Sequence, residues 1–327
     1  MDRKNAWTTY SKEELDRLEQ VNTEYKNCLD AGKTERECVT LAVEKAKAEG
    51  ELALKEVLLA SNADNAGVTP PQPNVWANPL LRSLVVDEAR ASKTMVDILQ
   101  GYGAVPDPRL TLILSKSQAW VQGKDGAEEW KGVPNGLPVT ELSLPEYDNN
   151  HNSCIWGYMW GYDWNSAEKG DNISKPKTDA DFTPLGLMNY SEVCFLKAEA
   201  ALRGWQGAGD AKTNYENGIR ASFEEMRANA PKDSYSKSND DKYISEGNVA
   251  WNNADSFEAK LEKIITQKWI GIYPNSEEAW AEFRRTGYPK LNPVKQSLEP
   301  TINPKNGEFI KKLRYVDNEL SNNKEYA

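Results

Sequence analysis

Apolar residues recur at helical spacing in two blocks of the chain, and that spacing lapses between them. In the first block, Ser11-x-x-Glu14 reads as a capping box, in which each side chain satisfies a free backbone N–H of the first turn. Leu15, Leu18 and Val21 follow at helical spacing, and Gly32 stops this helix. Thr34-x-x-Glu37 opens a second helix through Val39, Ala42, Val43 and Ala46; Gly50 weakens it and Leu52 to Leu59 continue it. The stretch 61–80, rich in Pro, Asn and Asp, is predicted to be a loop. A helix from Leu84 to Leu99 follows and is ended by Gly101 and Gly103.

The second block runs from Leu187 to Leu291. Asn189-x-x-Glu192 is a further capping box, and Tyr190, Cys194, Ala198 and Ala201 share a helical face. Gly204, Gly207 and Gly209 make a turn, and Asp210 caps the next helix, with Tyr215, Ile219, Phe223 and Met226 on one stripe. This is a helix–turn–helix of roughly tetratricopeptide length. After a polar loop, 229–254, Asp255-x-x-Glu258 is read as the cap of a helix carrying Phe257, Leu261, Ile264, Ile265, Trp269 and Ile272. Pro274 ends it, and Asn275-Ser276 opens a short helix through Trp280 and Phe283; Trp269 and Trp280 are read as core. Between the blocks, residues 104–186 lack helical period and are dense in Gly, Pro, Asn and Asp, with Thr111–Leu114 the best short strand. The predicted fold is mainly α: tetratricopeptide-like helical hairpins supporting a loop-rich half with a few short strands. Its parts are a helical stretch 1–103, a loop-rich aromatic region 104–186, the helix pairs 187–291 and a polar tail 292–327, together one domain.

Composition sharpens this picture in three places. Fifty Asp and Glu against forty Lys and Arg give a net charge of −10, which argues against a nucleic-acid or anionic-membrane surface. There are eleven Trp and fourteen Tyr but only six Phe, a bias toward rings with a polar handle that suits wet binding surfaces. The four cysteines, Cys28, Cys38, Cys154 and Cys194, lack the close spacing of a zinc or redox motif. Cys194 reads as a small buried hydrophobe, and Cys28 and Cys38 flank a turn across which they are open to pairing. No apolar run approaches the length of a bilayer span, and Met1-Asp2-Arg3-Lys4 does not begin a secretory signal.

Several runs bear a family likeness. Tyr190–Ala200 and Glu277–Leu291 are its strongest parts, within Leu187–Met226 and Leu261–Leu291. Ser92-Lys93-Thr94-Met95-Val96-Asp97, Asp107-Pro108-Arg109-Leu110 and Gly132-Val133-Pro134-Asn135-Gly136-Leu137 add to it in order. Together these runs, over about two-thirds of the chain, resemble the SusD/RagB family of outer-membrane nutrient-binding lipoproteins. The resemblance implies the SusD-like fold, no catalysis, and capture of glycan at the bacterial cell surface. It also implies a partner, a TonB-dependent outer-membrane transporter of the SusC type, over which the protein sits as a lid. Complete members are longer, with a signal peptide, a lipid-modified cysteine and further helical units in front. None of these is in this sequence, where Cys28 falls inside a helix pattern, so an amino-terminally truncated chain without its anchor is expected.

The strongest binding candidate is Trp156-Gly157-Tyr158-Met159-Trp160-Gly161-Tyr162-Asp163-Trp164-Asn165. In an extended segment alternate residues share a face, so Trp156, Tyr158, Trp160, Tyr162 and Trp164 would line one side as a shelf for pyranose rings. Asp163, Asn165, Asp148 and Asn152 would then serve the sugar hydroxyls from the rim. The competing reading is a strand whose aromatic face packs into the core. Trp120 and Trp130 lie in the same region and are either further ligand contacts or local loop packing, and Asn135 is read as a turn residue with positive φ. The single histidine, His151, excludes a histidine-pair metal site, and no nucleophile elbow or complete dinucleotide fingerprint is present. Neither metal nor cofactor is expected. Two other functions stay open: a helical-repeat scaffold binding a peptide or protein, and a glycoside hydrolase, whose carboxylate separation sequence does not reveal.

Overall fold

The computed structural model describes residues 11–31, 58–59, 90–101, 104–155, 157–160, 165, 167–171, 185–186, 188–228, 230, 235–297 and 302–310. The helix expected at 34–51, the loop at 61–80, residues 84–89 and Cys38 lie outside these, as does the Cys28 side chain. Among the described residues helices dominate. In chain order they are α1 (Lys12–Ala31), α2 (Lys93–Leu99), α3 (Leu110–Ile113), α4 (Gln118–Val121), α5 (Val139–Leu142), α6 (Tyr190–Leu202), α7 (Ala211–Arg227), α8 (Asp240–Ser245), α9 (Phe257–Gly271) and α10 (Ser276–Thr286). The one sheet among them is a two-residue antiparallel pair, β1 (Leu58–Leu59) with β2 (Leu185–Gly186), so Leu58 and Leu59 are not the helix end expected of them.

α6 and α7 form the tetratricopeptide-like hairpin, with α9 packed against both. The start of α6 meets the end of α7, where Glu225 accepts from the Ser191 N–H at 2.8 Å and from the Ser191 hydroxyl at 2.5 Å. Glu225 therefore caps α6 from another helix, and Asn189 makes no side-chain cap, contrary to the capping-box reading. Phe195, fully buried, is the wedge of the three-helix contact. A Cβ on Gly218 of α7 would sit 2.7 Å from its ring, and one on Gly271 of α9 would sit 3.2 Å from it. Each glycine costs its helix about 1 kcal/mol, offset here by the close approach of the backbones. Gly218→Ala gains that propensity but jams a ring with no free side. Overpacking of this kind costs about 1–3 kcal/mol, so a net loss of stability is expected, read as a lower midpoint in urea unfolding.

Local signals placed the starts of α7 and α10, whereas α2 starts at Lys93 rather than Leu84 and α8 lies in the stretch expected to be a polar loop. Asp210 caps α7 through the Thr213 N–H at 2.8 Å, and Asn275 caps α10 through the Glu278 N–H. For α9 the cap is Ser256, one residue later than expected, and the Asp255 carboxylate pairs instead with Lys263 at 2.7 Å. Between α6, α9 and α10 lies a buried ionic cluster. Lys268 is 1 % exposed and stands 2.8 Å from Glu278, 2.9 Å from Glu282 and 3.6 Å from Glu192. Burial alone would lower the Lys268 pKa, but the three carboxylates outweigh it and keep it raised. Arg285 then clamps Glu199 with two 2.7 Å bonds and reaches Glu282 at 2.6 Å. Trp269 is half-buried against the core, whereas Trp280 stays partly exposed, stacked under Arg284 with its indole N–H donating to the Ile310 carbonyl.

The loop-rich region is stitched to the helices by the runs that carried the family likeness. Ser92 caps α2, and the chain beside it pairs with Val133: Val133 N–H to Ala91 O at 2.9 Å and Lys93 N–H to Val133 O at 2.8 Å. Gly132 passes so close that a Cβ there would lie 2.5 Å from the Lys93 Cα. In the Pro-Asn-Gly turn the positive φ, 70°, belongs to Gly136. Asn135 and Gly136 use their carbonyls to bind Lys295 and Gln296, so the start of the polar tail straps this turn. Thr111–Leu114 is not a strand. Leu110, Leu112, Ile113 and Leu114 are all buried, a pattern compatible with either structure, and the Leu110 N–H bonded to the Asp107 carbonyl at 2.9 Å starts a helical turn.

Candidate ligand-binding site

The aromatic segment is where sequence and structure differ most. Tyr158–Trp160 is a 3-10 turn, not an extended strand, so alternate residues there do not share a face. Tyr158 is 4 % exposed and packs in the core with Leu110, Leu112 and Ile270; it is no part of an open shelf. Asn165 is also removed from the proposed rim. It is 7 % exposed, its amide N–H groups donate to Thr111 O at 2.8 Å and Leu114 O at 2.7 Å, and its Oδ1 accepts from the Lys116 N–H at 2.9 Å. It satisfies carbonyls that the end of α3 would otherwise leave without partners. Trp156, Tyr162, Asp163, Trp164 and the Trp160 side chain lie outside the described residues.

Trp120 and Trp130 are both half-buried. Trp120 stands on α4, capped by Ser117, beside Val121 and Ala167, with the Lys116 ammonium 4.9 Å from its ring centre. That ammonium also donates to Ala167 O at 3.2 Å and pairs with Glu129 at 3.4 Å. Trp130 packs on the core cluster that holds Tyr158. The other two rim candidates are engaged within their own loop. Asn152 is fully buried and donates to Glu146 O and Asp148 O. Asp148 accepts from the N–H groups of Asn150 and His151 and lies 2.8 Å from the His151 ring. Its small burial pushes its pKa up, and these hydrogen bonds outweigh that and hold it below the usual carboxylate value.

Two features escaped the sequence reading. The first is a buried network centred on Arg109, which is wholly inaccessible. Its guanidinium meets both oxygens of Asp107, at 2.9 and 2.6 Å, and reaches Ser222 of α7 at 3.1 Å and Gln267 of α9 at 2.5 Å. Tyr243 of α8 donates to Asp107 at 2.6 Å and accepts from Gln267 at 2.9 Å. The only trace in the sequence is the run Asp107-Pro108-Arg109. The second is a cavity of about 510 Å³ on the helical side, walled by Ile98, Val105, Tyr215 and Val249 and rimmed by Asp255 and Lys263 among others. Among the described residues it shares none with the aromatic segment. Its walls come from positions far apart in the chain, which no local pattern announces. Among the described residues no group of three His, Cys, Asp or Glu is placed to hold a metal ion, and no helix is long and apolar enough to cross a membrane.

A family model for SusD-like proteins, described as SusD and RagB outer membrane lipoprotein, matches residues 37–327, nearly the whole chain. The chain belongs to the SusD-like family. It is thus a member of a family of outer membrane lipoproteins, and its mainly helical architecture is that of solved SusD homologues. A SusD homologue from Bacteroides ovatus is 30% identical, with a TM-score of 0.54 over 76% of this chain and 49% of its own. One from Bacteroides uniformis is 28% identical, with a TM-score of 0.52 over 76% and 48%. A third solved structure, of a chitin-binding protein, is 26% identical, with a TM-score of 0.54 over 88% and 56%. The SusD-like chain described here therefore spans about half the length of these relatives. No curated protein matches it.

Proposed function

We propose that this SusD-like chain takes part in non-catalytic capture of glycan at the bacterial cell surface and in its delivery to a TonB-dependent SusC-type transporter of the outer membrane. The observation that carries this reading is the similarity to a chitin-binding protein over 88% of the chain, joined to family membership. The Trp-rich region supports it. Rings in such a region stack on the C–H face of a pyranose, and Trp156, Trp160, Tyr162, Asp163 and Trp164, together with Trp120 and Trp130, are the residues we assign to that role. Capture and release need no bond-breaking machinery. In keeping with this, burial pushes the Cys154 thiol up to about 12, where it is no nucleophile at neutral pH.

A glycan array with chitin oligosaccharides as the first probe tests the proposal. The expected result is saturable binding with a Kd of roughly micromolar order or weaker, since a sugar bound far more tightly would leave too slowly to be passed on. A second reading, a helical scaffold that holds a peptide, is favoured by the cavity beside α9. An array without hits, together with saturable binding of a peptide that is lost on blocking this cavity, would replace the glycan reading with that one.

A further inference from the structure

The cavity on the helical side has the make-up of a small-ligand site. Its volume of about 510 Å³ falls within the range of about 300–1,000 Å³ usual for such sites. Ile98, Tyr215, Tyr243 and Gln267, all buried, form its deepest walls. These walls are held from behind. Tyr215 donates its hydroxyl to Val249 O at 2.8 Å, and Tyr243 and Gln267 belong to the network around Arg109. Their polar groups are largely spent within the protein, so the shape of the cavity is set before a ligand arrives. Val105, Val249, Ala259 and Pro289 add apolar surface around them.

Five charged side chains complete the lining: Glu246, Asp255, Glu262, Lys263 and Lys290. Both lysines are matched by carboxylates, Lys263 with Asp255 at 2.7 Å and Lys290 with Glu262 at 2.8 Å. Glu246, exposed at the end of α8, has neither an ion pair nor a side-chain hydrogen bond among the described residues. It is the one charge of the five without compensation. A neutral ligand seated beside it would take water from a carboxylate and return nothing, and an anion would add repulsion. A cation compensates the charge. The apolar walls suit an aliphatic stem, which a lysine-like chain buries while its charged head stays near solvent. We infer that this cavity is a second binding site, one that receives a primary ammonium group carried on an apolar stem, with Glu246 as the counter-ion. The inference uses the same cavity as the peptide reading and names the group received there; it does not depend on the glycan reading.

Three probes test it by ligand-observed nuclear magnetic resonance on the whole chain: Nα-acetyl-lysine amide, its norleucine counterpart, which has a similar stem without the charge, and its glutamate counterpart. The lysine compound is expected to bind saturably, about fivefold more tightly than the norleucine compound, and to weaken as salt is raised. The glutamate compound should bind weakest. Glu246→Lys should reverse that order and put the glutamate compound ahead of the lysine one. Glu246 is exposed and its side chain bonds nothing among the described residues, so this variant is expected to keep the wild-type circular dichroism signal. Ala259→Trp fills the cavity from α9 and should abolish binding of all three; if it fails to fold, Glu246→Lys carries the test alone. Glucosamine as a fourth probe separates two sources of the amine. Tighter binding of the lysine compound assigns the amine to a polypeptide, tighter binding of glucosamine assigns it to an amino sugar, and either result supports the site. Equal binding of the lysine and norleucine compounds, or an unchanged preference in Glu246→Lys, would overturn the inference and leave the cavity to an uncharged peptide. Lack of saturable binding by both amines would overturn it outright. The glycan reading fails separately, by a glycan array without hits.

Discussion

Asp107→Ala is expected to lower the unfolding free energy by about 3–5 kcal/mol, the usual cost of leaving a buried charge without its partner. The Arg109 guanidinium is fully enclosed, and its pKa reflects a balance. Burial pulls it down, and the Asp107 carboxylate outweighs that and leaves it raised. Removing the carboxylate leaves the burial penalty without its main offset. Tyr243 loses its acceptor in the same stroke, and the Arg109 N–H loses another. Urea unfolding followed by far-ultraviolet circular dichroism measures the effect. The pair Asp107→Leu with Arg109→Met should recover much of the loss, since an apolar replacement of a buried ion pair is often close to neutral. If the double variant were no better than Asp107→Ala, the cost would lie in packing rather than in charge. Because Asp107 and Arg109 join the loop-rich region to α7, α8 and α9, the loss should reach both halves of the molecule.

Trp156→Ala, Trp160→Ala and Trp164→Ala combined should weaken binding of chitin oligosaccharides about a hundredfold or more and leave the helical circular dichroism signal intact. An aromatic stacking contact contributes about 0.5–1.5 kcal/mol beyond the area that it buries. Two productive rings at the upper end of that range, lost together, remove about 3 kcal/mol, and each 1.4 kcal/mol is a factor of ten in Kd. Isothermal titration against the wild type reads the difference. Unchanged affinity would remove this segment as the ligand face. A collapse of the helical signal would place the three indoles in the core, where Tyr158 already is.

What was legible in the sequence follows the range of each interaction. Asp210 and Asn275 were recognised as caps because a cap bonds an amide three residues along, within any reading window. The α7 stripe was legible because one side of that helix faces the core, and Tyr215, Ile219, Phe223 and Met226 are all buried. Asn189 carried an equally good cap pattern and fails, because Glu225, thirty-four residues from the Ser191 N–H that it accepts from, takes its place. Asn165 offered the same kind of polar side chain as a sugar-binding rim and is spent on Thr111, fifty-four residues back. Tyr158 belonged to a perfect alternation of aromatics, but alternation shares a face only in extended backbone, and Tyr158–Trp160 is a 3-10 turn.

The sequence alone settled the long helices of the second block, since helical period and capping are written within a few residues of one another, and its ordered motifs carried the resemblance to the family to which the chain belongs. Tertiary structure alone decided which polar groups face solvent and which are consumed inside: Arg109 finds Gln267 at a separation of 158 residues. A buried hydrogen-bonding group has to be matched by whatever the fold brings beside it, and that neighbour is set by packing rather than by nearness in the chain.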